Sequence, residues 1–294
     1  MRLQGAFVAI TTPFRAAGSL DEPALAAHAR WLVERGVDGI VVCGTTGESA
    51  TLENEEKRRA CQVVLEAVGG EGKVIAGIGN NSTSETLAQL DLVRDLSGLA
   101  AIMCVVPYYN RPPQAGLAAH FSAIADASRH PLVVYNVPSR TVASLSVETM
   151  ATLSAHPNVI AFKEATGDLY MNSRLVQAVD PKVSLLSGDD PTALPFLAIG
   201  GHGVISVAGN IAPSVVSGMC RAFERGDLDE ARRLHQVIVA LQGLLFSTSS
   251  PIPVKAAAAH LGFGDGSLRL PLVALAPEER AALVASLEAL GVRR

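Results

Sequence analysis

Eight short apolar runs rich in β-branched residues recur along the chain, at residues 7–10, 39–42, 74–78, 101–106, 132–135, 159–162, 183–186 and 204–207. Each is long enough for one strand. None alternates apolar with polar residues, so each strand is expected to be buried on both faces, which is the mark of parallel pairing. Amphipathic stretches of helical length separate most of them, for example 22–35, 53–68, 83–96 and 114–128. A strand-helix alternation repeated eight times leaves two architectures, a closed barrel or an open doubly wound sheet. An open sheet of that kind usually carries a G-x-G-x-x-G turn after its first strand. Here the first run leads into Thr11-Thr12-Pro13-Phe14, and the expectation is a closed eight-stranded parallel β/α barrel.

Helix starts are marked along the way. Ser82 with Glu85 three residues on reads as a capping box, and Asp190 before Pro191 reads as a cap before a first-turn proline. After Ile211 the strand signal stops and helical pattern continues through 227–246, 253–261 and 277–290. The expected division is a catalytic barrel at 1–224 and a small C-terminal helical domain at 225–294. The turn-rich segment 247–253 lies between two of its helices.

At 294 residues, with 49% hydrophobic and 18% charged, the chain has ample material for a large core. Its formal charge is -4, with acids and bases interleaved, which argues against nucleic acid as a partner. The four cysteines, Cys43, Cys61, Cys104 and Cys220, sit in apolar surroundings without C-x-x-C spacing and read as buried reduced thiols. No apolar run reaches the ~20 residues of a membrane helix, and residues 1–10 lack the order of a signal peptide. The expectation is a cytoplasmic protein with no membrane partner.

In closed β/α barrels the active site forms at the C-terminal strand ends, and unusual residues collect there. Lys163 closes the apolar run Val159-Ile160-Ala161-Phe162. Partial loss of water lowers a lysine pKa toward its neutral, nucleophilic form, which makes a Schiff base with a ketone. Position alone is as consistent with a snorkelling lysine or an ion pair with Glu164. The company at the other strand ends favours the nucleophile. Gly44-Thr45-Thr46-Gly47 offers backbone N–H groups and two hydroxyls to a small carboxylate, although an ordinary strand-to-helix turn looks the same. Tyr135 faces either a pocket or a satisfied core partner; with hydroxyls from Thr45 and Tyr109 it could relay protons. Arg140 is capable of bidentate carboxylate binding or of a surface ion pair.

Asp189-Asp190 has no histidine or third carboxylate at ligand spacing, so no metal is expected there, and helix capping accounts for Asp190. The seven histidines read as solvent-facing, loop-borne or satisfied in the core. The residues by themselves thus point to a metal-free lysine enzyme acting on small anionic carbonyl compounds.

Seven motifs in order carry a resemblance: Gly44-Thr45-Thr46-Gly47-Glu48-Ser49, Pro107-Tyr108-Tyr109-Asn110-Arg111-Pro112, Tyr135-Asn136-Val137-Pro138-Ser139-Arg140-Thr141, Lys163-Glu164-Ala165-Thr166, Leu186-Ser187-Gly188-Asp189-Asp190, Gly203-Val204-Ile205-Ser206 and Pro251-Ile252-Pro253-Val254-Lys255. Over nearly the whole chain the sequence resembles the dihydrodipicolinate synthase family, within the Schiff-base aldolase and N-acetylneuraminate lyase superfamily. The resemblance implies condensation of pyruvate with L-aspartate 4-semialdehyde to 4-hydroxy-tetrahydrodipicolinate, in lysine and diaminopimelate biosynthesis, with no cofactor. It implies that Lys163 carries the pyruvate imine, that Thr46 and the backbone at Ile205 hold its carboxylate, and that Gly188 belongs to the same substrate site. Tyr135, Thr45 and Tyr109 would form the proton relay. Tyr109 would come from a neighbouring subunit of a homotetramer built as a dimer of dimers, and Arg140 would bind the semialdehyde carboxylate.

Two departures stand out. Family members inhibited by lysine carry two histidines on the helix after the Gly-Thr-Thr-Gly turn, where this chain has Asn54 and Lys57, while Asn81, Glu85 and Tyr108 of that regulatory site are kept. Feedback inhibition is therefore expected to be weak or absent. Ser249-Ser250 stands where an asparagine is usual, at a position expected to be remote from the chemistry. The alternatives are a sugar-acid aldolase, of the N-acetylneuraminate lyase or 2-keto-3-deoxygluconate kind, and a catalytically silent metabolite-binding barrel. Arg140 and Thr45 argue against the aldolases, and the joint presence of Lys163, Tyr135 and Thr45 against the silent barrel.

Overall fold

The computed structural model describes residues 2–294. Eight parallel strands close into one barrel in chain order, with β8 returning to β1. The strands are β1 (Gly5–Ala9), β2 (Gly39–Val42), β3 (Lys73–Ile78), β4 (Leu99–Val105), β5 (Leu132–Asn136), β6 (Val159–Glu164), β7 (Ser184–Ser187) and β8 (Gly203–Ser206). Each coincides with one apolar run, displaced by a few residues at its ends. The ring of helices comprises α1 (Glu22–Glu34), α2 (Asn54–Val68), α3 (Thr83–Gln89), α4 (Gln114–Ala127), α5 (Pro138–Thr141), α6 (Val147–Ser154), α7 (Leu169–Ala178), α8 (Ala193–Ala198) and α9 (Pro213–Glu224). Three more follow: α10 (Leu228–Leu245), α11 (Ile252–His260) and α12 (Pro277–Ala289).

The two-residue period of the strands sorts their side chains into two cores. Phe7, Val41, Ile75, Met103, Val133, Tyr135, Ala161, Leu186 and Ile205 fill the barrel interior. The alternate residues, such as Val8, Ile40, Val134 and Phe162, face the helices, which is why these strands read as unbroken apolar runs. Each such aliphatic or aromatic side chain contributes about 1.5–3 kcal/mol when fully removed from water. Ile238, Leu241, Leu245, Leu283 and Leu287 of the last helices join the same outer core.

Three local expectations need correcting. The helix expected over 83–96 gives way after Gln89 to a tighter turn at Leu90–Leu92; Leu90, Val93 and Leu96 remain buried, which preserved the helical look of the pattern. At Ser82 the capping box is only half formed. The Ser82 hydroxyl accepts from Glu85 N at 3.4 Å, but the Glu85 carboxylate takes the Asn80 amide instead of turning back to Ser82. The helical turn after β7 is capped by Asp189, which accepts from Thr192 N at 3.2 Å and from the Thr192 hydroxyl at 2.6 Å. Asp190 turns inward instead, where its Oδ2 accepts from the N–H groups of Val207 and Ala208, both at 2.9 Å. All four cysteines are unpaired and buried. Among the described residues no helix is long and apolar enough to cross a membrane.

Candidate active site

Lys163 continues the inward face of β6 two residues past Ala161, while Glu164 points outward. Its register partners are Tyr135 on β5 and Leu186 on β7. The side chain is 5% exposed, and Nζ lies 4.1 Å from the centroid of the Tyr135 ring. Glu164 is not its partner. That carboxylate accepts from the Asn136 amide at 2.8 Å and from Thr166 N at 2.6 Å on the far side of the sheet. Burial pulls the Lys163 ammonium down to about 7; the negative charge of Asp190 opposes this and the positive charge of Arg140 adds to it. An amine so placed is substantially neutral near pH 7 and free to attack a carbonyl.

Space for the lysine comes from Gly188, two residues past Leu186. A Cβ there would lie 2.9 Å from Lys163 Cε and 2.7 Å from the Ala165 Cβ, so any side chain would push the amine off its position. Tyr135 is buried beside it. Burial raises the phenol pKa, while the Arg140 charge and the Thr45 hydroxyl draw it down. Thr45 and Tyr135 line a common cavity of about 40 Å³ with Gly44 and Met103. The two hydroxyl-bearing side chains thus border the same small space.

Thr45 and Thr46 open a single tight turn, Thr45–Gly47, directly after β2. Their N–H groups have no backbone partner among the described residues, as expected at the start of a helical turn, and such groups suit an anion. Thr46 is buried, and Ile205 ends the inward face of β8 within the interior cluster. Arg140 sits on α5, just beyond β5. It borders a cleft of about 440 Å³ together with Thr45, Tyr108 and Ser249, and its guanidinium donates to the Ser250 carbonyl at 3.0 Å. The expectation that Ser249-Ser250 lies far from the chemistry is thus overturned: the chain returns from α10 to rest against Arg140.

Tyr109 is an expected member that the fold of this single chain leaves outside. It follows β4 in a left-handed backbone conformation with φ 77° and is 87% exposed, outside the cavity that Thr45 and Tyr135 share. Asp190 was missed as part of the site. The sequence offers no signal for this, because a second acid beside a cap can equally well be solvated. Lys57 borders the cleft beside Ser49 and Asn80. Asn81 donates to the Tyr108 carbonyl at 3.0 Å. His28 and His120 are buried, each with one ring nitrogen bonded and the other unpaired, so only half of their bonding capacity is satisfied. Among the described residues no three His, Cys, Asp or Glu side chains converge as a metal site.

The chain is 48% identical over 285 residues to the 4-hydroxy-tetrahydrodipicolinate synthase of Thermomicrobium roseum, covering 97% of this chain and 94% of the relative. The crystal structure of dihydrodipicolinate synthase from Aquifex aeolicus superposes with a TM-score of 0.95 at 40% identity, covering 99% of both chains. The chloride-inhibited dihydrodipicolinate synthase from Acinetobacter baumannii, solved in complex with pyruvate, gives 0.95 at 40% identity over 98% of this chain and 99% of that one. The profile of the dihydrodipicolinate synthetase family matches residues 2–290, and the chain belongs to that family.

Proposed function

We propose that this chain is a 4-hydroxy-tetrahydrodipicolinate synthase that works through a pyruvate imine on Lys163. The supporting observation is the buried Lys163 amine, held near neutrality at a strand tip and packed on the Tyr135 ring. In this reading the amine attacks the pyruvate ketone and water leaves to give the imine. Once protonated, the imine draws electrons from the methyl carbon, a methyl proton departs, and the resulting enamine attacks the aldehyde carbon of L-aspartate 4-semialdehyde. The new carbon–carbon bond leaves an alkoxide that takes a proton from the relay, and the amine of the semialdehyde then displaces the Lys163 nitrogen at the imine carbon, which closes the ring and frees the lysine.

Tyr135 and Thr45 would move the protons, with Tyr109 of a neighbouring copy completing the relay. The high exposure of Tyr109 in a single chain supports that role, and with it an assembly of tight dimers paired into a homotetramer. Thr46 and the Ile205 backbone would hold the pyruvate carboxylate, Gly188 would leave room for the imine, and Arg140 would take the semialdehyde carboxylate. No cofactor enters the scheme. We read 225–294 as a small helical domain walling the site, consistent with the contact of Ser250 on Arg140, and the setting as cytoplasmic.

A coupled assay that compares L-aspartate 4-semialdehyde plus pyruvate with N-acetylneuraminate separates this reading from a sugar-acid aldolase. Turnover with the semialdehyde and pyruvate together, and none with the sugar acid, is expected. Cleavage of the sugar acid at a comparable rate would favour the aldolase, and failure of pyruvate to form any reducible adduct would favour a silent barrel.

A further inference from the structure

The Thr45–Gly47 turn is flanked by two residues in left-handed backbone conformations, Cys43 and Glu48, both at φ 55°. Such a conformation is unfavourable for a residue with a side chain and persists only where the surroundings enforce it. At Glu48 the enforcing groups come from the far end of the chain. Its Oε1 accepts from the Lys255 ammonium of α11, and its Oε2 accepts from Arg269 N at 3.1 Å. The side chains of the ion pair are only 1% and 3% exposed.

The contacts continue on both sides. Lys255 Nζ lies 3.8 Å and Arg269 Cζ 4.2 Å from the centroid of the buried Phe14 ring, so one aromatic ring is packed against both cations. The Arg269 guanidinium reaches outward to Glu56 on α2, to the Thr51 carbonyl at 2.6 Å and to the Gly18 carbonyl at 2.6 Å. Thr12 donates to the Gly47 carbonyl at 2.7 Å and closes the other side of the turn. Three distant segments therefore meet on the turn that carries Thr45 and Thr46.

A buried ion pair rarely adds more stability than well-packed apolar residues of the same size, whereas it does impose geometry. Burial lowers the Lys255 ammonium to about 8 despite its carboxylate partner, which illustrates the cost of keeping that charge inside. We infer that Glu48 and Lys255 are positioning residues, a strap from the C-terminal helices that sets the Thr45–Thr46 turn for the carboxylate of the keto-acid substrate. This inference rests on the proposed pyruvate chemistry and has the pair act through the turn that it holds.

The test uses the full-length protein and three variants: Lys255→Met, the double variant Glu48→Gln with Lys255→Met, and Glu56→Gln at the partly exposed outer end. Lys255→Met should raise the KM for pyruvate by roughly 10-fold or more and lower the thermal midpoint, because it leaves a buried carboxylate unpaired. The double variant removes both charges and should recover most of the midpoint while the raised KM persists. Recovery of KM together with the midpoint would overturn the inference and leave the pair a purely structural element. Glu56→Gln should raise KM in the same direction by a smaller factor; should the inner variants fail to fold, an unchanged KM here would overturn the inference. Reductive trapping at saturating pyruvate should still label Lys163 in every folded variant. Lack of label in the parent enzyme would strike at the proposed chemistry itself rather than at the strap.

Discussion

Tyr135 and Lys163 are register partners across β5 and β6, and the lysine nitrogen rests 4.1 Å from the tyrosine ring centroid. The ring face favours a cation, while burial brings the ammonium down to about 7. The two residues thus sit at one level of the barrel, one as an available amine and the other as a phenol beside it.

The first consequence is a pH dependence. The folded pKa of Lys163 is lowered, so the reactive neutral amine is lost as pH falls through about 7 and gained as it rises. The rate of imine formation at subsaturating pyruvate should climb with pH below that value and level off above it. A stopped-flow or quench profile whose midpoint stays near 10.5, the ordinary lysine value, would contradict the assignment.

Tyr135→Phe removes only the hydroxyl and leaves a ring of the same shape under the lysine. Turnover should fall by roughly 10²-fold or more with the thermal midpoint little changed. Steady-state rates near those of the parent would exclude Tyr135 from the relay.

Arg140→Ala should raise the KM for the semialdehyde by roughly 10-fold or more, the loss expected for a charge-assisted hydrogen bond, with a smaller effect on the KM for pyruvate. Equal effects on the two substrates would contradict a role for Arg140 specific to the semialdehyde carboxylate.

L-Lysine is expected to inhibit weakly or not at all, because the Lys57 cation borders the cleft that Ser49 and Asn80 also line and would repel the ammonium groups of the ligand. Inhibition at sub-millimolar lysine in a steady-state assay would refute this.

The barrel was legible because strands buried on both faces leave uninterrupted apolar runs; Lys163 stands out at the end of one of them, and its company at the other strand ends favours the nucleophile over an ordinary buried cation. What escaped the sequence depended on contacts between residues far apart in the chain. Asp189 and Asp190 are neighbours with opposite directions, and only the fold shows which one caps the turn. Ser250 meets Arg140 across 110 positions and Lys255 meets Glu48 across 207, separations at which local pattern carries no signal. Lys255 did leave one trace: a cation set among Val254, Ala256, Ala257 and Ala258 has to find a buried acid. The Tyr109 phenol reads in the sequence as a hydroxyl of the relay, but its exposure appears only once the chain is folded.

The central claim is that Lys163 forms the covalent link to the keto acid. Borohydride reduction in the presence of pyruvate, followed by intact-mass and peptide mass spectrometry, tests it directly. One adduct on the peptide containing Lys163 is the result the account predicts, absent from Lys163→Ala; an adduct that persists on another residue in that variant would contradict it.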